Sequence, residues 1–292
     1  MQYRLVSTII ATYNRLELIT RTLDSLSRQT YRPLEVLVID DGSQPPAQPL
    51  IDRWRACVDE DLHVSCLRQN NQGPAAARNK GIEQCSGDLI HFLDDDDLLD
   101  EHALEYLVHA ITDSTPQVSM SSYLDWRSGQ PFGSVQTPPT LSSRDITRAM
   151  IGGNWFVPIH GYLFTRSAIE VIGSWNTVLT SQEDDEYLLR AAFSGIPFKP
   201  APRAMVYYCH HEGIRRATPG KPGESIAHGL KKRMMADLTI REFAYEKLAA
   251  TGSINDYLDA FIDWQNRFLS RYGELEAAVH SPVLDWLAVE QP

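Results

Sequence analysis

Apolar residues are unevenly spread along this chain. Residues 5–11 form a nearly continuous apolar, β-branched run that stops at the polar stretch Thr12-Tyr13-Asn14-Arg15. A short run of this kind predicts a strand buried on both faces. Leu16, Ile19, Leu23 and Leu26 then recur at helical spacing. After Pro33 the buried-strand pattern returns over 34–39 and ends at Asp40-Asp41-Gly42-Ser43. A proline-rich loop (Pro45, Pro46, Pro49) and a short helix follow. Residues 62–67 predict a third strand. Gly73-Pro74 opens a helix over about 75–85, with proline in the first turn, where its missing N–H is not needed. Residues 89–93 predict a fourth strand that runs directly into Asp94. Asp100 is expected to N-cap the next helix, which carries Leu104, Leu107, Val108 and Ile111 on one face.

Strands and helices in alternation predict an α/β fold with a mostly parallel sheet flanked by helices. Ligands of such sheets sit beyond the carboxyl ends of the strands. Three polar clusters fall there: 12–15, 40–43 and 94–97. Beyond residue 115 the pattern loosens. It predicts a strand over 118–123 with a turn at Gly129, an aromatic-rich stretch over 155–164, a helix over 183–194 and a strand over 204–208. Residues 212–224, with Gly213, Pro219, Gly220, Pro222 and Gly223, predict a mobile loop. From Ser225 onward apolar residues recur at helical spacing through Met234, Leu238, Tyr245, Leu258, Phe261 and Phe268. The expected organisation is therefore an α/β domain over 1–224 and a C-terminal helical extension over 225–292.

Composition narrows the function classes. With 292 residues, 43% of them hydrophobic, the chain can bury a sizeable core. A net charge of −11 argues against non-specific binding to nucleic acid, which needs a basic footprint. A local basic patch for a diphosphate or a membrane surface stays compatible with that charge. Cys57, Cys66, Cys85 and Cys209 form no CxxC pair and suit a reducing cytosol. No signal peptide and no apolar run of about 18 residues is evident. The expected location is cytoplasmic, with peripheral contact to the inner face of a membrane left open.

The acidic run Asp94-Asp95-Asp96-Asp97 follows the apolar Phe92-Leu93 directly. Clustered carboxylates raise one another's pKa unless something cationic offsets them. A hard divalent cation does this and can also bridge phosphates. The competing explanation is a solvated acidic loop with helix-capping aspartates. A second cluster, Glu183-Asp184-Asp185-Glu186, opens a predicted helix, where acids also favour the helix dipole.

Taken in chain order, Ile9-Ile10-Ala11-Thr12-Tyr13-Asn14-Arg15, Val38-Ile39-Asp40-Asp41-Gly42-Ser43, Asn71-Gln72-Gly73-Pro74-Ala75-Ala76-Ala77-Arg78-Asn79, Gly87-Asp88, the run from Phe92 to Asp97, and Gln182-Glu183-Asp184 resemble family two glycosyltransferases with a GT-A fold. The likeness covers roughly 5–215. It implies a nucleotide-binding half over 1–115 and an acceptor-binding half over 116–224. It further implies an inverting, metal-assisted transfer from a nucleotide diphosphate sugar, UDP-sugar foremost, to a saccharide or lipid-linked acceptor. The cofactor implied is a divalent cation, Mn²⁺ or Mg²⁺.

The resemblance also implies roles. Thr12 and Tyr13 would flank a uracil, with Asn14 and Arg15 beside them, and Tyr13 as core is the plainer alternative. Asp40 would accept the base's ring N–H or else cap a turn. Gly73 would place a helix N-terminus near the ligand, and Arg78 would pair with phosphate or with a neighbouring aspartate. Asp94, or Asp95 if the register shifts by one, would contact ribose or sugar, and Asp96 would hold the metal. His211 would be a further ligand, unless it is a structural histidine; Cys209 stands where the family often has arginine. Asp184 would be the general base, Asp185 the second choice, and Glu183 an orienting group. Arg215, Arg216 and Lys221 would close over the diphosphate. Trp155 would line the acceptor site or belong to the core. Two other classes remain in view: a sugar-nucleotide nucleotidyltransferase, disfavoured because no glycine-rich loop follows the first strand, and an inactive sugar-nucleotide-binding protein.

Overall fold

The structure is a computed structural model that describes residues 4–58, 61–211, 226–273 and 281–290. Its elements run β1 (Val6–Thr12), α1 (Leu16–Ser27), β2 (Leu34–Asp40), α2 (Gln48–Arg55), β3 (Leu62–Arg68), α3 (Pro74–Gln84), β4 (Leu89–Asp94), β5 (Leu98–Leu99), α4 (Ala103–Ala110), β6 (Val118–Arg127), β7 (Gln130–Gln136) and α5 (Ser143–Ile151). They continue with β8 (Tyr162–Thr165), α6 (Arg166–Ile172), α7 (Glu183–Phe193), β9 (Phe198–His210), α8 (Ile226–Ala250), α9 (Leu258–Tyr272) and α10 (Pro282–Glu290). The chain divides into two units. One comprises 1–142, 157–177 and 194–211; the other comprises 143–156, 178–193 and the C-terminal helices.

The first unit is a sheet of nine strands, ordered β3-β2-β1-β4-β8-β6-β9-β5 with β7 beside β6. Across β3-β2-β1-β4 every pairing is parallel, as the alternating pattern predicts. Beyond β4 the sheet is mixed: β8 runs antiparallel to both β4 and β6, and β9 parallel to β6. Hydrophobic periodicity marks a strand but carries no information on its direction, which the connections decide. All seven residues of β1 are buried, as a central strand covered on both faces requires. Ile10, Val36 and Val38 join Ile19, Leu23, Leu26, Ile51, Leu104 and Leu107 in one core under α1, α2 and α4. Ile9 points to the opposite face, where α3 lies against β1 and β2. A Cβ on Gly81 would come within 2.3 Å of the Ile9 Cγ2, so this helix reaches the sheet through a glycine.

Two expectations need correction. Asp100 is not the N-cap of α4. That position is His102, and Asp100 supports it by accepting from the His102 N–H at 3.2 Å. The strand expected over 204–208 is the longer β9, which takes in Pro200 and Pro202 next to a register shift opposite Ser121 and Ser122.

The second unit is helical. Met234, Leu238, Phe261, Trp264, Phe268, Val283 and Leu287 are buried there. Arg241 donates to the backbone carbonyls of Met150 and Ile151 and pairs with Asp237 at 2.7 Å. The loop expected over 212–224, with Arg215, Arg216 and Lys221, and the boundary at 224/225 lie outside the described residues. Among the described residues, no helix is long and apolar enough to cross a membrane.

Candidate active site

Register brings the polar strand ends together. Thr12 of β1 is the partner of Asp40 on β2, and Ala11 is the partner of Asp94 on β4. Neighbouring strands lie about 4.8 Å apart, so Asp40, Thr12 and Asp94 stand side by side on one carboxyl edge. Thr12 is buried, whereas Tyr13 is 40% exposed and is not core. Asn14 adopts a left-handed conformation, φ 52°, which asparagine tolerates better than most residues. Its N–H donates to the Ser43 Oγ at 3.0 Å, and its side-chain oxygen accepts from the Gln44 N–H at 2.7 Å. The loops after β1 and β2 are thereby latched in both directions.

Asp40 is committed within its own loop. Its carboxylate accepts from the N–H groups of Ser43 (2.8 Å) and Ala47 (3.0 Å) and pairs with Arg68 at 2.7 Å. Burial would raise its pKa, but these donors outweigh burial and hold the carboxyl below its usual range. Of its two sequence readings, the turn cap describes these bonds. Asp41, to which the sequence attaches no clear role, bridges β2 to the start of α3: it accepts from the N–H groups of Gln72 and Gly73, both at 2.9 Å, and from Gln69 at 2.8 Å. Gly73 takes φ 89°, a conformation that favours glycine, and so turns its N–H toward Asp41 while opening the helix.

Arg78, buried on α3, donates to the Asp94 Oδ1 at 2.9 Å. Its guanidinium also lies 4.4 Å from the ring centroid of Trp175. The Asn79 side chain exchanges two hydrogen bonds, of 3.0 and 2.8 Å, with the backbone of Trp175 and so anchors the chain there. Trp175 thus supports the arginine that meets Asp94.

The acidic run alternates. The side chains of Asp94 and Asp96 are 34% and 19% exposed, whereas those of Asp95 and Asp97 are each 2% exposed. Arg15 spans the run, 2.7 Å from the Asp96 Oδ2 and 3.3 Å from the Asp95 Oδ1. Burial lowers the Arg15 pKa, but Asp95, Asp96 and Asp94 more than reverse that. The His211 Nε2 lies 3.7 Å from the Asp96 Oδ2. Asp97 faces inward, toward Cys209 and His160. His210 pairs with Asp125 of β6.

The chemistry of these donors fits a divalent cation held jointly with a diphosphate. Burial, followed by Asp97 and Asp95, pushes the Asp96 carboxyl up to about 8 against the pull of Arg15, the environment in which added positive charge stabilises the carboxylate. Among the described residues, no group of three or more His, Cys, Asp or Glu side chains forms a ready metal cage. Mg²⁺-type phosphate sites need none, because they use one or two carboxylates plus waters and phosphate oxygens.

Glu183, Asp184 and Asp185 occupy the first turn of α7, in the second unit. Gln182, just before it, has φ 57°. Burial pushes the Asp185 carboxyl up to about 6, opposed by Arg241 and Arg233 and reinforced by Asp237 and Glu183. Glu186 is tied to Arg190 by two contacts of 2.7 and 3.0 Å. Trp155, also in this unit, is partly buried.

A family model described as glycosyl transferase family 2 matches residues 7–173, more than half of the chain. An uncharacterized glycosyltransferase of Rickettsia bellii is 37% identical over 118 residues, covering 40% of this chain and 16% of that relative. The chain thus spans a minor part of that relative's length. Among solved structures, residues 1–349 of S. aureus TarS in complex with UDP match with a TM-score of 0.66 and 19% identity, over 94% of this chain and 75% of that one. The mannosyltransferase PcManGT from Pyrobaculum calidifontis, in complex with GDP-Man and Mn²⁺, matches with a TM-score of 0.59 and 19% identity, over 98% and 79% of the two chains. These likenesses identify the first unit's mixed sheet, with its helices, as a GT-A fold.

Proposed function

We propose, for a chain that belongs to glycosyl transferase family 2, that it moves a sugar from a nucleotide diphosphate sugar to a saccharide or lipid-linked acceptor with inversion at the anomeric carbon. UDP-sugar is the favoured donor. The observation that carries this reading is the alignment of three polar strand ends on one edge, with Asp94 and Asp96 turned outward from a run whose other two members are buried.

In this reading Tyr13 offers its exposed ring to the base. Thr12, Asn14 and Asp40 shape the base site, Asp40 through the loop that it holds. Asp41 and Gly73 set the start of α3 beside the donor. Asp94, kept in place by Arg78, contacts the ribose or sugar; Asp95 anchors Arg15, which turns to the diphosphate. Asp96 and His211 would hold Mn²⁺ or Mg²⁺. When bound, the cation neutralises charge on the departing diphosphate. Asp184 takes the proton from the acceptor hydroxyl as the new bond to the anomeric carbon forms and the bond to the diphosphate oxygen breaks. Asp185, whose carboxyl is pushed up to about 6, is the second choice for that base, and Glu183 orients the acceptor with Trp155. The nucleotide half is assigned to 1–115, the acceptor half to 116–224 and the helical extension to 225–292. The protein would work at the inner face of a membrane or in the cytoplasm.

The direct test is consumption of a panel of UDP-, dTDP- and GDP-sugars with Mn²⁺ and with EDTA. Turnover of a UDP-sugar only in Mn²⁺ supports the assignment. Failure to bind any sugar-nucleotide with metal present overturns it.

A further inference from the structure

Two buried groups beneath the acidic run have no part in the roles above. Asp97 and His160 are both enclosed, and the His160 Nδ1 lies 3.1 Å from the Asp97 Oδ2. The other carboxylate oxygen of Asp97 accepts from the Cys209 N–H at 2.6 Å. Asp97 therefore joins two chain segments that are 112 residues apart in sequence. One of them carries Asp96, the residue before Asp97. The other carries His211, two residues beyond Cys209.

His160 is itself pinned from below. Its backbone carbonyl meets the His91 Nε2 at 2.8 Å, and the His91 Nδ1 meets the Thr8 Oγ1 at 3.3 Å. A carbonyl only accepts, so the His91 Nε2 carries the proton and its Nδ1 accepts from the threonine hydroxyl. Thr8 and His91 are register partners on β1 and β4. The chain of contacts thus runs from the centre of the sheet through His91 and the turn at Ile159–Gly161 to Asp97. Enclosing a carboxylate is costly and is not a default way to fill a core. Here it ties the backbone on both sides of the Asp96–His211 pair.

We propose that His160 and Asp97 are positioning residues that set the separation of Asp96 and His211 and thereby the affinity of the protein for a divalent cation. The proposal rests on the assignment of Asp96 and His211 as metal-holding residues. Outer partners of this kind typically alter metal affinity about 10- to 100-fold when removed.

The test is titration of the protein with Mn²⁺ in saturating UDP, followed by the paramagnetic resonance of free Mn²⁺, with circular dichroism and the melting temperature in metal-free buffer as checks on folding. His160→Leu should weaken Mn²⁺ binding by about 10-fold or more. His160→Asn, which can present an amide near the position of the ring Nδ1, should recover most of that loss. His160→Gln, whose amide reaches past that position, should not. A folded His160→Leu with parental Mn²⁺ affinity would overturn the inference and leave the assignment of Asp96 and His211 standing. If His160→Leu does not fold, the Asn and Gln variants decide, and equal affinity in the two overturns it. Absence of Mn²⁺ binding in the parent protein would overturn both the inference and the metal assignment on which it rests.

Discussion

Asp94 and Asp96 differ from Asp95 and Asp97 across the turn that follows β4, closed by the Asp97 N–H donating to the Asp94 carbonyl at 3.2 Å. The first pair is partly exposed; the second is buried. Four identical residues offer no such distinction in sequence, which is why the register there could slip by one. The outward Asp96 and the α7 acid Asp184 each carry an expected outcome. Asp96→Ala should abolish metal-dependent donor binding, measured by calorimetry with and without Mn²⁺. Asp184→Asn should retain donor binding and lose transfer; unchanged turnover would move the base elsewhere. Asp185 makes a prediction about stability. Its carboxyl rises from 3.8 to about 6, so the folded chain holds that proton more tightly than the unfolded chain. The stability involved is fully present below about pH 4 and is lost as pH rises through about 6, by about 3 kcal/mol as an upper figure. Asp185→Asn should therefore equal the parent near pH 4 and exceed it above pH 7 in urea unfolding. Other residues were legible only as a type. Asp40 was marked as a site residue, yet its bonds to Ser43, Ala47 and Arg68 depend on where the loop after β2 folds. Asp41 and Trp175 carry no assigned role in the sequence, because their partners lie in other segments: Gln69, Gln72 and Gly73 for Asp41, and Asn79 of α3 for Trp175.

At the scale of elements, sequence and structure agree best where periodicity is strong. The four N-terminal strands and α1, α3 and α4 match the apolar pattern to within a few residues. Agreement is weakest at β9, where prolines sit inside a strand, and in the antiparallel joins around β8, whose direction no pattern encodes. The contact of α3 with β1 is set by Gly81. A methyl there meets Ile9, a stiff β-branched side chain, at 2.3 Å. Gly81→Ala gains helix propensity of up to about 1 kcal/mol. It loses about 1–3 kcal/mol to overpacking. The expected result is net destabilisation in urea unfolding, with Arg78, three residues earlier on the same helix, displaced from Asp94 and donor affinity lowered.

For the molecule as a whole, the net charge is −11, the acidic run and the first turn of α7 carry four acids each, and the diphosphate assigned to this protein is also negative. Cation and nucleotide should therefore bind together better than the nucleotide alone. UDP at about 100 times its Kd stabilises the folded state by about 2.7 kcal/mol. The melting temperature should rise by several degrees with UDP and Mn²⁺ together, and by markedly less with UDP in EDTA. Equal shifts in the two conditions would count against a shared site.

Local periodicity and residues adjacent in the chain are enough to show that the N-terminal part alternates strand with helix, where each strand ends, and which of those ends carry acids. Which carboxylates turn outward, that Arg78 rests on Trp175, and that Asp97 joins the Asp96 turn to the end of β9 are settled by the folded chain alone. Those relations depend on register and packing between segments 80 to 112 residues apart, brought together by the sheet order β2-β1-β4 and the return of β9. No local pattern encodes that closure.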